Sequence, residues 1–246
     1  MSTFKEMPSI KKEMEKLDAI EKTEGEKAQE KIWNEKVERV GKRLDRIGGE
    51  MDPGIIETVA ALNLHGIPTS GSCEGHLDHG IPSPWIDVVA EQEPKEHYND
   101  QDKIYEKVAR KHGIAVAVMR DGKHQEAWRE ACIACDASGE TEAYKLWEQK
   151  NMELRKKVEE LLAEYKGQQL ERSPSAASIK QYGGFFRVFT GGKDYDLREK
   201  AIKELPRAEQ EALALRLREH QAEMKRFMEY LKQKYFSAIS GSSNRF

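Results

Sequence analysis

Apolar side chains near both ends of the chain recur at helical spacing. Trp33, Val37, Val40, Leu44 and Ile47 step by four, three, four and three residues. Leu213, Leu217, His220, Met224, Phe227 and Leu231 keep the same rhythm. Such a rhythm puts one apolar stripe on a helix and leaves its other faces to solvent. Each stripe needs a cover: the other stripe, a sheet, or a second copy of the chain. The segments between the stripes contain only short strand-like runs. The chain is therefore expected to be α+β and helix-dominated. It should hold several long amphipathic helices around a small, mostly antiparallel sheet of three to five strands.

Composition agrees. Of 246 residues, 35% are charged and only 38% hydrophobic, which suits long solvated helical surfaces. The length still allows a real core. No run approaches the roughly 18 apolar residues of a membrane span. No apolar signal core stands near the start, and three cysteines cannot build a disulfide framework. These features predict a cytoplasmic protein with no membrane association.

The net charge of −3 hides an asymmetry. Residues 51–100 carry net −8 and residues 168–246 carry net +5, while the other two segments balance. The acidic stretch would repel phosphates unless cations from elsewhere fold over it, and the C-terminal segment is one source. Simple attraction between the two segments explains the asymmetry equally well.

Helical periodicity runs from Pro8 to about Ile47 and stops at Gly48-Gly49. Asp52-Pro53 then reads as an N-cap and first helical residue. Gly66 suits the left-handed position after that helix. Ile67–Cys73 and Trp85–Val89 read as extended segments around a turn-rich stretch. Ile104–His112 reads as a helix, and Ile114–Met119 fits either strand or helix. Lys123 to about Tyr165 is helical with a break at Ser138-Gly139. Ala176–Tyr182 and Phe185–Thr190 read as two strands flanking Gly183-Gly184, as a hairpin or about a bulge. A last helix is expected from Pro206 to Tyr235. The implied organisation is a helical segment over 1–50 and an α+β core over 51–192 with a helical insertion at 101–167. A C-terminal helix over 193–236 and a disordered tail over 237–246 complete it.

One segment is dense in chemistry. Of the fifteen residues Gly66–Gly80, eight are glycine or carry a small hydroxyl or thiol. Cys73, Glu74, His76, Asp78 and His79 can each serve as acid, base, nucleophile or ligand. Density of this kind in a loop at a strand end is where active sites are commonly built.

The string G-I-P-T-S-G-S-C-E-G-H-L-D-H-G, followed by P-W-I-D-V, resembles a recurring pattern in uncharacterised bacterial proteins. The resemblance covers residues 52–89, with Gly183–Val188 similar to a later strand of the same proteins. It implies no established activity. Ser72-Cys73-Glu74-Gly75 is faintly similar to a Ser-Cys-x-Gly element of wybutosine-synthesis tRNA methyltransferases. There a different residue stands where His76 does here.

Three chemistries suit the segment. Cys73 with His76 or His79 can act as a thiolate and its base, although Glu74 and Asp78 would raise the thiol pKa. Cys73, His76 and His79 have C-x2-H-x2-H spacing and can hold zinc with a carboxylate, leaving a position open for hydrolysis. Alternatively the loop is a structural turn around a buried cysteine. Ser72, Gly75, Trp85 and Arg187 are the candidate substrate-binding residues, with Arg187 an anion anchor or a partner of Glu74, Asp78 or Asp87. Cys132-x-x-Cys135 shares a helical face with Trp128 and Ala131 and reads as core. His220, on an apolar stripe, reads as packed.

The expected function is a small-molecule or nucleotide site on the Ser72–His79 loop. Cys73, His76 and Glu74 would be its catalytic groups and zinc its possible cofactor, for hydrolysis or group transfer. The alternatives are a helical interaction or homo-oligomerising protein, and an RNA-binding protein using the basic C-terminal segment and aromatic strand.

Overall fold

The structure, a computed structural model, describes residues 24–44, 49–169 and 173–240. The expected helix over 8–23, the stripe residue Ile47 and the tail beyond Ser240 lie outside the described residues.

Seven α-helices and four strands are described, as the helix-dominated α+β reading requires. Helix α1 spans Glu24–Gly41. A 3-10 turn at Pro53–Ile55 leads into α2, Ile56–Leu64. Strands β1, Thr69–Cys73, and β2, Trp85–Val88, follow. Helices α3, Gln101–His112, α4, Gln125–Ser138, and α5, Glu142–Gly167, come next. Strands β3, Ser178–Tyr182, and β4, Phe185–Phe189, pair as a hairpin, one of the two arrangements expected there. Helices α6, Glu199–Glu204, and α7, Arg207–Ser240, close the chain.

The sheet order is β1-β2-β4-β3, antiparallel throughout. Register pairs Ile86 with Val188 and Val88 with Phe186, so these four side chains share one face. All four are buried, together with Val59, Leu62 and Ile67 around α2, Val158 and Leu161 of α5, and Met224, Phe227 and Leu231 of α7. Each such side chain contributes about 1.5–3 kcal/mol by leaving water. The other face of the sheet carries Trp85, Asp87, Phe185 and Arg187, and there the cavity lies.

Trp33 and Val40 of the N-terminal stripe, and the stripe of α7, are covered within the chain. Trp33 packs against Tyr235 and Phe236, with ring centroids 6.3 and 5.9 Å away. Leu213, Met224, Phe227 and Leu231 are buried. The apolar stripe of α7 is therefore spent on the core and is not left open for a second copy. Leu44 departs from the pattern, being 63% exposed just past the end of α1.

Other differences from the sequence reading have local causes. The break at Ser138-Gly139 is a full helix end, because Gly139 leaves the helix with φ +75° and an extended ψ, and Thr141 caps α5 by accepting the Tyr144 N–H at 3.1 Å. Ile114–Met119 is neither strand nor regular helix. It holds a 3-10 turn at Val116–Val118 that lowers Met119 into a small second core with Val108, Ala127 and Ala131. Helix α7 continues to Ser240, into the stretch read as disordered tail. There Tyr235 and Phe236 hold it to α1, and Ser237 Oγ donates back to the Lys234 carbonyl at 3.1 Å. No helix among the described residues is long and apolar enough to cross a membrane.

Candidate functional site

The Glu74–Pro84 loop leaves β1 and returns into β2. His76 N–H donates to the Ile81 carbonyl at 3.1 Å, and Ser83 N–H to the same carbonyl at 2.8 Å. Ser83 Oγ bonds the Thr190 carbonyl, and Gln221 of α7 donates to the Glu74 carbonyl at 3.2 Å. Gly75 has φ +88°, and a Cβ there would stand 2.8 Å from the Ser83 carbonyl carbon. Only glycine fits that crossing.

Asp52, read from sequence as an N-cap, makes no side-chain cap bond. Its carboxylate accepts the Glu74 N–H at 3.0 Å and meets His76 Nε2 at 3.1 Å. Glu74 takes over at the helix start, accepting the Gly54 N–H at 2.7 Å through Oε2. The two acids have thus exchanged the roles the sequence suggests. Burial alone would raise the Asp52 carboxyl. Hydrogen bonds from Glu74, His76 and Cys73 outweigh it and hold the group below its ordinary value.

Cys73 Sγ accepts the Gly75 N–H at 3.3 Å. Burial pushes its thiol up, the Gly75 N–H offsets only part of this, and the Asp52 charge adds to it, to about 12. Ligand atoms of Asp52, Cys73 and His76 all lie within 4.8 Å of one another. His79 stacks on His76 with ring centroids 4.1 Å apart, and its Nδ1 meets Asp78 Oδ1 at 2.8 Å. It belongs to a second, exposed set with His76 and Asp78. The C-x2-H-x2-H spacing does not assemble as one set among the described residues. Asp52 replaces His79 beside Cys73 and His76, because the loop turns His79 out to solvent.

These groups line a cavity of about 700 Å3 on the outer sheet face. Ser72, Cys73, His76, His79 and Trp85 of the expected residues border it; Glu74, Gly75 and Arg187 do not. Arg187 pairs side by side with Asp87, at 2.6 and 2.8 Å, and donates to Tyr195 Oη at 3.2 Å. Its guanidinium lies 3.6 Å from the centroid of Trp85. Arg187 thus holds the wall residue Trp85 and neutralises Asp87, one of the partners foreseen for it. Trp147 forms another wall, fixed by its Nε1–H bond to the Ala90 carbonyl at 2.9 Å and by contact with Gly184. Trp147 was missed because its helical stripe reads as ordinary core. Asp52 was missed because Asp before Pro reads as a cap.

Cys132 and Cys135 lie elsewhere, on α4, with Cys135 buried, and neither joins a set of metal donors among the described residues. His220 is buried. Its Nδ1 meets Ser175 Oγ at 2.7 Å and its Nε2 meets Asp194 Oδ2 at 3.1 Å. The grouping has the residue types of a hydrolytic triad. Yet Ser175, His220 and Asp194 are 5%, 4% and 4% exposed, and Arg216 also grips Asp194 at 2.6 Å. It is a closed polar clamp between α7 and the turns beside the sheet.

Compared with known proteins, the chain matches no family model, no curated protein and no solved structure.

Proposed function

We propose that Asp52, Cys73 and His76 hold a divalent metal, zinc by the chemistry of the donors, at one side of the cavity. The protein would then act on a small molecule or nucleotide bound there, by metal-assisted hydrolysis or group transfer. The observation that carries this is the convergence of one carboxylate, one thiol and one imidazole within 4.8 Å on a cavity wall. An oxygen and a nitrogen bound to one tetrahedral zinc stand about 3.3 Å apart. The 3.1 Å between Asp52 and His76 is close to that edge.

Electrostatics favour a cation over a bare thiol nucleophile. A thiol held near 12 supplies almost no thiolate at neutral pH. A divalent cation reverses that sign, because it deprotonates a coordinating thiol and replaces the proton shared by His76 and Asp52. Three protein donors leave a fourth position for water or substrate, the arrangement of catalytic rather than structural zinc. Trp85, Trp147 and Phe185 give the cavity flat apolar walls that suit a planar ring.

The test is the metal content of purified protein by mass spectrometry, beside Asp52→Asn, Cys73→Ser and His76→Ala. One zinc per chain, lost in each variant while the fold persists, supports the reading. Absence of metal after growth and reconstitution with zinc, or its retention in all three variants, rejects it.

A further inference from the structure

A second groove, of about 800 Å3, opens beside the site cavity, and Arg43 lines both. Lys36 and Arg39 of α1 and Lys150 and Lys157 of α5 also line the groove, against the carboxylates Glu91 and Glu153. Exposed cations elsewhere on this chain commonly have an acidic partner, as Lys145 has Glu142, Arg155 has Glu159 and Lys203 has Glu199. Lys36, Arg39 and Lys150 make no ion pair among the described residues. Among the described residues, the Arg43 side chain hydrogen-bonds only the neutral Asn63, at 3.5 Å. Lys157 donates to the His65 carbonyl at 2.6 Å.

Lys36 and Arg39 stand three apart on one face of α1, so the helix places like charges side by side, and Arg43 follows two residues past its end. Partial burial, then the charges of Arg39 and Arg43, hold the Lys36 ammonium below its ordinary value. A favourable helix dipole accounts for basic residues in a last turn. It does not account for the lysines that a different helix aims into the same groove. Among the described lining residues, five cations against two acids make an anion site, and four of the cations arrive from two helices, α1 and α5.

We propose that this groove binds the phosphate end of the substrate, whose other end reaches past Arg43 to the Asp52–Cys73–His76 cluster. The substrate class is then a phosphorylated small molecule, and a nucleotide also fits the aromatic walls. The proposal rests on reading that cluster as the reacting end. Arginine forks and ammonium groups are the usual partners of phosphate oxygens. The cations come from α1, the residues just past it and α5, in the charge-balanced segments, rather than from the basic C-terminal segment. In α7, Arg216, Arg226 and Lys234 are committed to Asp194, Glu223 and Glu164.

The test is calorimetric titration of the full chain with inorganic tripolyphosphate at low salt, with metal content measured on the same samples. The expected result is one site per chain, weakened about tenfold in a Lys36→Gln/Arg39→Gln variant whose melting temperature and metal content stay native. A Lys145→Gln/Lys203→Gln control should bind as the native chain does. Asp52→Asn should lose metal yet keep tripolyphosphate, which separates the groove from anion binding at a metal. If metal is absent while the groove still binds, the cluster reading falls and the anion site stands alone. No binding, undiminished binding in the groove variant, or equal loss in the control overturns the proposal. Tight binding of single-stranded RNA that tripolyphosphate cannot displace also overturns it, in favour of an RNA surface.

Discussion

Asp52 and His76 stand 24 positions apart in sequence and meet at 3.1 Å, with Cys73 beside both. This contact joins the start of α2 to the loop after β1, so the candidate centre depends on two elements keeping their spacing. Asp52→Asn keeps the side-chain volume and removes the charge. It should abolish zinc binding and cost about 1–3 kcal/mol, because Glu74 N–H and His76 lose a charged acceptor. Asp78→Asn, at an exposed carboxylate, should leave stability within about 0.5 kcal/mol of native. Metal analysis and urea unfolding of both variants check this.

Two glycines of the same loop should respond differently to alanine. At Gly75 a Cβ meets Ser83 backbone atoms at 2.8 and 2.9 Å with φ +88°. Gly80 has φ +72° and open space around it. Gly75→Ala should cost about 2–4 kcal/mol, because backbone must move as well as strain. Gly80→Ala should cost about 1 kcal/mol, from the left-handed conformation alone. Parallel denaturant curves measure the gap.

Arg187 and Asp87 are the half-buried pair of the outer sheet face, at 14% and 13% side-chain exposure. Arg187→Ala leaves the Asp87 charge unpaired and uncovers Trp85. A loss of about 3 kcal/mol is expected, with a change in Trp85 emission. Arg187→Lys should recover only part of either, since an ammonium cannot make the paired bonds to Asp87 and stack on Trp85 together. Fluorescence-monitored unfolding of the two variants reads both effects.

The Asp194 clamp gives a pH dependence. Burial pushes its carboxyl up, but bonds from Arg216 and His220 outweigh this and hold it below the ordinary value. A carboxyl whose folded-state pKa is depressed stabilises fully above its unfolded value, near pH 4. That contribution is lost as pH falls through the folded-state pKa. Asp194→Asn should therefore lower stability by about 2–4 kcal/mol at pH 7, and the difference should shrink as the solution is acidified below pH 4. Thermal unfolding from pH 7 to pH 3 follows it.

Cys73 gives a chemical readout that depends on metal. With its thiol near 12, alkylation by iodoacetamide at pH 8 in metal-free protein should run at least about a hundredfold slower than that of a simple thiol. Mass spectrometry of the Cys73 peptide over time measures the rate.

The sequence by itself determined what local chemistry controls. Periodicity located the longer described helices, because residues at 3-4 spacing share one face only when the segment is helical. Alternation at Phe185–Phe189 separated Phe186 and Val188 from Phe185, Arg187 and Phe189, and Gly183-Gly184 marked a break between two strands, because strand faces and turn conformations are local properties; the packing made the Phe186 face the buried one. The density of reactive groups at 72–79 marked the loop. Only the tertiary structure decided which groups meet there. Asp52 joined Cys73 and His76, His79 turned out to solvent, Glu74 went to the helix start and Arg187 to Asp87. The cations of α1 and α5 converged beside the cavity although neither segment carries net charge. Each of these outcomes depends on how elements far apart in the chain pack across a shared core, and a linear pattern of residue types does not encode that distance.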